Sequence, residues 1–137
     1  MIEIMIALFF VTLVAVALLN LATINLSTSS YSVLRSKADT FAKATMEWLR
    51  SQRDTDWTTF VGHVGYWCMP NLNWEINSAC ATNNESQKIS GTPLYRLVTI
   101  EETVPGSQVE ATVQLSWTDN KGYHEVKQTT IFTNENY

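Results

Sequence analysis

A chain of 137 residues has room for one ordinary domain plus, at most, an appended segment. The net charge is −4; residues 1–60 balance, whereas residues 61–137 carry four basic against eight acidic side chains. No clustered lysine and arginine surface is offered to phosphate, so direct nucleic-acid binding by this chain is not supported.

Residues 4–19 are apolar throughout except Thr12, and Leu21, Ala22, Ile24 and Leu26 extend that character; no Gly or Pro precedes Gly62. As a helix, about 16 to 23 such residues span roughly 24–35 Å, the thickness of a bilayer hydrocarbon core. A conventional signal peptide places a basic residue before its apolar run and a small-residue cleavage site after it. Here the only charge ahead of the run is Glu3, and the helical pattern continues. The expected division is therefore a hydrophobic transmembrane or filament-core helix over 1–26 and a globular head over 27–137. That head includes the amphipathic second half of the helix.

Glu3, two residues from the chain end, either sits in water at the edge of the span or meets a partner. A carboxylate at the edge of an apolar span costs several kcal/mol unless it reaches water, takes up a proton or meets a cation. The run Ile2-Glu3-Ile4-Met5-Ile6-Ala7-Leu8 resembles the processed N-terminus of type IV pilins, where an apolar stretch carries one Glu near its start. The resemblance implies that a prepilin peptidase cuts a longer precursor and that the new terminal residue is methylated. It also implies that Glu3 pairs with the terminal amine of a neighbouring subunit, so Glu3 and Met1 are the assembly residues. The family commonly has Phe-Thr ahead of the residue matching Met1. Either the mature chain carries two residues before Met1 or the processing site differs. Many family members also break the filament-core helix with a Pro that this sequence lacks. Asn20, Thr23 and Asn25 are weak helix formers that compete for backbone hydrogen bonds. Loosening within a filament is expected, if anywhere, over residues 12–25, with an unbroken helix as the alternative.

The helical pattern continues beyond the apolar span. Tyr31, Leu34, Ala38, Phe41, Ala42, Thr45, Trp48 and Leu49 form a stripe at the helical period, with Arg35, Lys37, Asp39, Lys43, Glu47 and Arg50 mostly off it. The stretch Ala44-Thr45-Met46-Glu47-Trp48-Leu49-Arg50 resembles, more weakly, the helix end of accessory or minor pilins. Arg50 and Arg53 suit the negative pole of the helix dipole at an end near residue 53. Asp56 ahead of Trp57-Thr58-Thr59-Phe60 reads as the N-cap of a short second helix.

Residues 62–92, with Gly62, Gly65, Pro70, Gly91 and many Asn and Ser, read as loop. Cys68 and Cys80, close in sequence in a chain that reads as exported, are expected to form a disulfide. The chain-entropy model gives such a loop roughly 3 kcal/mol. Trp67 and Trp74 are expected beside it in a stapled lobe over one end of the sheet. A zinc site from Cys68, Cys80, His63 and His124 has no CxxC or HxxxH pair behind it, and nothing in the spacing sets a base beside a thiol.

The last third reads as β. The run from Leu94 to Glu101 forms a first strand, and Thr103-Val104-Pro105-Gly106-Ser107 the link to a second. Val109, Ala111, Val113, Leu115 and Trp117 alternate strictly with polar residues, the mark of a half-buried strand. Asp119-Asn120-Lys121-Gly122 is a turn, and residues 123–133 return as a third strand. Val126 and Phe132 share one face of it and Ile131 the other, with room for a bulge. The expected fold is α+β: a long N-terminal helix on a three-stranded antiparallel sheet, which is also what the pilin resemblance implies.

Catalytic chemistry finds no footing in the pattern. No Gly-rich phosphate loop, carboxylate pair or Ser-His-Asp order is present, and Glu101-Glu102 point to opposite faces of a strand. Asn84-Glu85-Ser86 matches an N-glycosylation sequon, and Ser27 to Ser30 offer hydroxyls for O-linked groups. No cofactor or metal is expected. The resemblance implies a non-enzymatic structural subunit of a type IV pilus-like fibre, the fibre serving adhesion, twitching motility, DNA uptake or several of these. Such a subunit sits in the cytoplasmic membrane before assembly and on the bacterial cell surface afterwards. Its partners are identical or related pilins, the prepilin peptidase and the assembly machinery. The alternatives are a pseudopilin of a type II secretion system, many of which bind calcium through acids that are dispersed here, and a membrane-tethered binding domain that never polymerises and has no need of Glu3.

Overall fold

The computed structural model describes residues 2–134, with the side chains of residues 20–27 outside the description. The elements in order are α1 (Ile2–Thr55), α2 (Trp57–Val61), β1 (Gly65–Cys68), a 3₁₀ turn (Glu85–Gln87), β2 (Tyr95–Val104), β3 (Gln108–Asp119) and β4 (Gly122–Thr133). The chain divides into two compact units, residues 1–36 and residues 37–137.

The first unit is helix, and its apolar composition leaves no face to prefer. All large apolar side chains from Ile2 to Leu19 are exposed, between 53% and 76%. A helix that is hydrophobic all round belongs inside something else.

In the second unit the C-terminal part of α1 lies on a four-stranded antiparallel meander of order β1-β2-β3-β4. The expected stripe is the buried face: Ala38, Ala42, Thr45 and Leu49 are fully covered, and Phe41 and Trp48 are half-buried. Met46, which widens that stripe by one residue, is buried as well. On the sheet, Val98 and Ile100 of β2, Val109, Ala111, Val113, Leu115 and Trp117 of β3, and Phe132 of β4 face inward and are essentially solvent-free. The strict alternation of β3 places one side of that strand in the core and the other half-exposed.

Four strands replace the three expected. β1 is only four residues long and sits in a segment whose Gly, Asn and Ser content reads as loop; its register is fixed by β2, with Gly65 opposite Ile100 and Cys68 opposite Leu97. A second difference concerns the bulge. β4 pairs with β3 in unbroken register from Gly122 to Thr133, and the irregularity falls in β2 between Glu102 and Val104.

The turns follow from their residues. Pro105 and Gly106 occupy the centre of the β2–β3 turn, where Ser107 N–H donates to the Val104 carbonyl at 3.1 Å and Gly106 has φ +72°. That is a type II turn, which asks for Pro then Gly. Asp56 caps α2 as expected, accepting from the amides of Thr58 and Thr59. Trp57 Nε1 then donates to the Gly106 carbonyl at 3.0 Å, joining α2 to that turn.

Candidate functional site

The sequence points to the N-terminal helix first. Met1 lies outside the described residues, and so do the side chains of Asn20, Thr23 and Asn25. Glu3 stands exposed in the first turn of α1 and is the only charged residue before Arg35. Thr12, the one polar residue within the apolar run, donates its hydroxyl to the Phe9 carbonyl at 2.8 Å. Its polarity is thereby satisfied within the helix, and the surface around it stays apolar. Between Ile2 and Leu19 the helix thus offers apolar surface on all sides and one carboxylate near its start.

The stapled lobe forms the second cluster. Cys68 and Cys80 are joined in a disulfide, with Cys68 buried at the end of β1. The pairing reads correctly from the sequence; what holds the lobe to the head does not. Arg96 sits on β2 opposite Leu115, at a core-facing position, and is 4% exposed. It donates from Nε to the Met69 carbonyl at 2.9 Å, from Nη1 to Thr45 Oγ1 at 3.0 Å and from Nη2 to the Pro70 carbonyl at 3.3 Å. One guanidinium therefore ties helix, sheet and loop together. Burial lowers its pKa to about 10, still far enough above neutrality to keep the charge. Among the described residues its partners are carbonyl and hydroxyl oxygens, not a carboxylate. The signal was available in principle. Once Val98 and Ile100 face inward, the period of two places Arg96 inward also.

Four rings gather between α1, α2 and the lobe. His63 stacks on Trp74 at 4.2 Å, Trp67 meets both edge-on at 5.2 Å, and Trp48 of α1 lies 5.0 Å from Trp74. Trp67 Nε1 donates to the His63 carbonyl at 2.7 Å, and His63 Nδ1 lies 2.8 Å from the Thr59 carbonyl, which fixes that nitrogen as the protonated one. Beside the rings is a cleft of about 260 Å³ lined by Gln52, Thr55, Asp56, Thr59, Phe60, His63 and Trp74. Its only carboxylate, Asp56, is already occupied in capping α2, so the cleft has packing character more than chemistry.

The remaining candidates stay apart. His124 lies at the β3–β4 hairpin with Nε2 2.9 Å from Asp119 Oδ1, while His63 is stacked in the lobe. The two cysteines hold each other, so the four residues of the zinc set are not assembled. Asn84 is exposed and uses its side chain to cap the 3₁₀ turn, accepting from Ser86 N–H at 3.1 Å. Glu101 and Glu110 face each other across β2 and β3 at the solvent side. Comparison of the chain with protein-family models, with curated proteins and with solved structures found no match.

Proposed function

We propose that this chain is a structural subunit of a type IV pilus-like filament, polymerising through its N-terminal apolar helix. The observation that carries the reading is the helix surface over Ile2–Leu19: apolar in every direction, with one carboxylate at its start. A membrane anchor needs the apolar surface but has no use for the acid. Burying that surface away from water is worth on the order of tens of kcal/mol as an upper bound, so a bilayer or a bundle of like helices are its stable surroundings.

Before assembly the helix holds the subunit in the cytoplasmic membrane with its head outside the cytoplasm. Assembly moves the helix from lipid into the bundle, and Glu3 finds a cationic partner on a neighbouring copy there. The role is mechanical, and the disulfide suits an oxidising compartment.

The test is Glu3→Ala. Head folding and membrane insertion should be unchanged, because Glu3 touches neither, while fibres in the sheared surface fraction, counted by electron microscopy, should fall at least several-fold. Wild-type fibre numbers in that variant would remove the reason for assigning the acid to assembly. Mass spectrometry of the N-terminal peptide from the same fraction reads the processed end.

A further inference from the structure

Strand β4 is an open edge. β3 lies along one side of it and, among the described residues, no strand lies along the other. It is twelve residues long, contains no proline and carries no bulge. Such an edge presents a row of unpaired N–H and C=O groups, which soluble proteins usually shorten, kink or cover. The outward groups can be assigned from the register. The two-residue loop Asn120-Lys121 closes on Asp119 and Gly122 as a hydrogen-bonded pair, so the even-numbered residues of β4 bond to β3. The odd-numbered residues, Tyr123 to Thr133, direct their backbone groups away from the sheet.

We propose that β4 pairs antiparallel with β4 of a second copy of this chain, about a two-fold axis at Val126. Charge selects that register. Glu125 and Lys127 flank Val126 on the solvent face, with Lys127 Nζ 3.0 Å from Glu125 Oε1; Gln114 Nε2 also donates to Glu125, at 2.9 Å. An axis at Val126 sets Glu125 opposite the second copy's Lys127 and Lys127 opposite its Glu125, closing a ring of four alternating charges. An axis at Glu125 or at Lys127 would oppose like charges, which is destabilising across a strand pair. An axis at His124 or Gln128 loses both cross-pairs. Of the central registers, only the one at Val126 satisfies all four charges, and it aligns residues 122 to 130 of each copy.

A contact made by the same patch on both copies closes at two and does not propagate. On the filament reading it joins subunits of neighbouring fibres side by side. It stands or falls separately from the role of Glu3.

The experiment uses the full chain, in native membranes and in detergent micelles, with a cysteine placed on the axis. The central pair is a non-hydrogen-bonded one, with Cα atoms about 4.5 Å apart, within disulfide reach. Val126→Cys should give a covalent dimer under mild oxidation, with Cys68–Cys80 intact by non-reducing mass analysis. Gln128→Cys, which the register places opposite His124, should give several-fold less. Lys127→Glu should reduce the Val126→Cys dimer several-fold, and adding Glu125→Lys should restore it. The Val126→Cys dimer should persist with Glu3→Ala. Near-UV circular dichroism checks that each variant keeps the head folded. The pairing is overturned if Val126→Cys gives no dimer in either preparation, if Gln128→Cys cross-links equally well, if the double charge swap fails to rescue, or if the cross-linked species contains a different protein.

Discussion

Replacing Arg96 by methionine isolates what a buried cation contributes to a head this small. The guanidinium is 4% exposed and makes three hydrogen bonds, to Met69 and Pro70 of the lobe and to Thr45 of α1. Methionine fills a similar volume and donates nothing. Hydrogen bonds to a charged group contribute roughly 1.5–3 kcal/mol each, and the 3.3 Å bond to Pro70 belongs at the low end. Against their loss stands the desolvation of the charge, several kcal/mol, which methionine relieves. Thr45 is not orphaned, because its hydroxyl also donates to the Phe41 carbonyl at 2.7 Å. The Met69 and Pro70 carbonyls lose their guanidinium donor. The balance is a destabilisation of about 3 kcal/mol, or a fall in melting temperature of roughly 12–24 °C for a unit of this size. Near-UV circular dichroism or tryptophan fluorescence is the suitable probe, since the far-ultraviolet signal is dominated by α1. Arg96→Lys should fall between, because one ammonium on a flexible stem cannot match the guanidinium fork that reaches two lobe carbonyls and the Thr45 hydroxyl of α1 at once. Stability of Arg96→Met within about 0.5 kcal/mol of wild type would refute the assignment, and would place this cation with those that hydrophobic residues replace without loss.

Removing the disulfide as Cys68→Ala/Cys80→Ala should cost roughly 3 kcal/mol in a guanidinium titration of the full chain in micelles. Combined with Arg96→Met, the loss should be less than the sum, because both hold the same loop against β2; additivity would show that they act independently. At acid pH the cap of α2 should weaken. The Asp56 carboxyl is held below its ordinary 3.8, first by the hydrogen bond from the Thr59 hydroxyl, then by the amides of Thr59 and Thr58. A depressed folded-state value means stabilisation that is present above the unfolded value and lost as pH falls through the folded one. Asp56→Asn should therefore flatten the stability profile below about pH 4, and Asp56→Ala should lower the midpoint already at neutral pH; an unchanged acid limb in the asparagine variant would move the effect elsewhere.

What the sequence reveals depends on whether a residue's role is set by its neighbours in the chain. The inward face of β3 is legible because five apolar residues alternate without interruption, and its burial follows that alternation. The helix stripe and the Asp56 cap are equally local. β1 is not legible, since four residues cannot establish a period and its flanks carry turn chemistry; only pairing with β2 makes it a strand. Arg96 is hidden for a different reason. Hydrophobic patterning assigns a cation to the surface, and the oxygens that satisfy it come from a loop 26 residues away and from a helix 51 residues away. The Cys68–Cys80 pairing was readable, whereas the stacking of Trp74 on His63 and against Trp48 was not, because nothing in the spacing brings those rings together.

On the filament reading, affinity and register come from different atoms of the first unit. Thirteen large apolar side chains between Ile2 and Leu19 are open to contact all round the helix. Such a surface favours association with anything equally apolar, and it tolerates sliding and rotation because one turn of the helix is much like the next. Glu3 removes that degeneracy. Every arrangement that leaves its carboxylate without a cation inside the bundle is penalised by several kcal/mol, while the arrangement that pairs it is spared. That difference is a penalty on wrong positions and need not add to the strength of the right one, which is how specificity is often built. The long uncharged stretch from Glu3 to Arg35 is consistent with this division, since a second charge in the rod would impose a second register condition that the first need not satisfy.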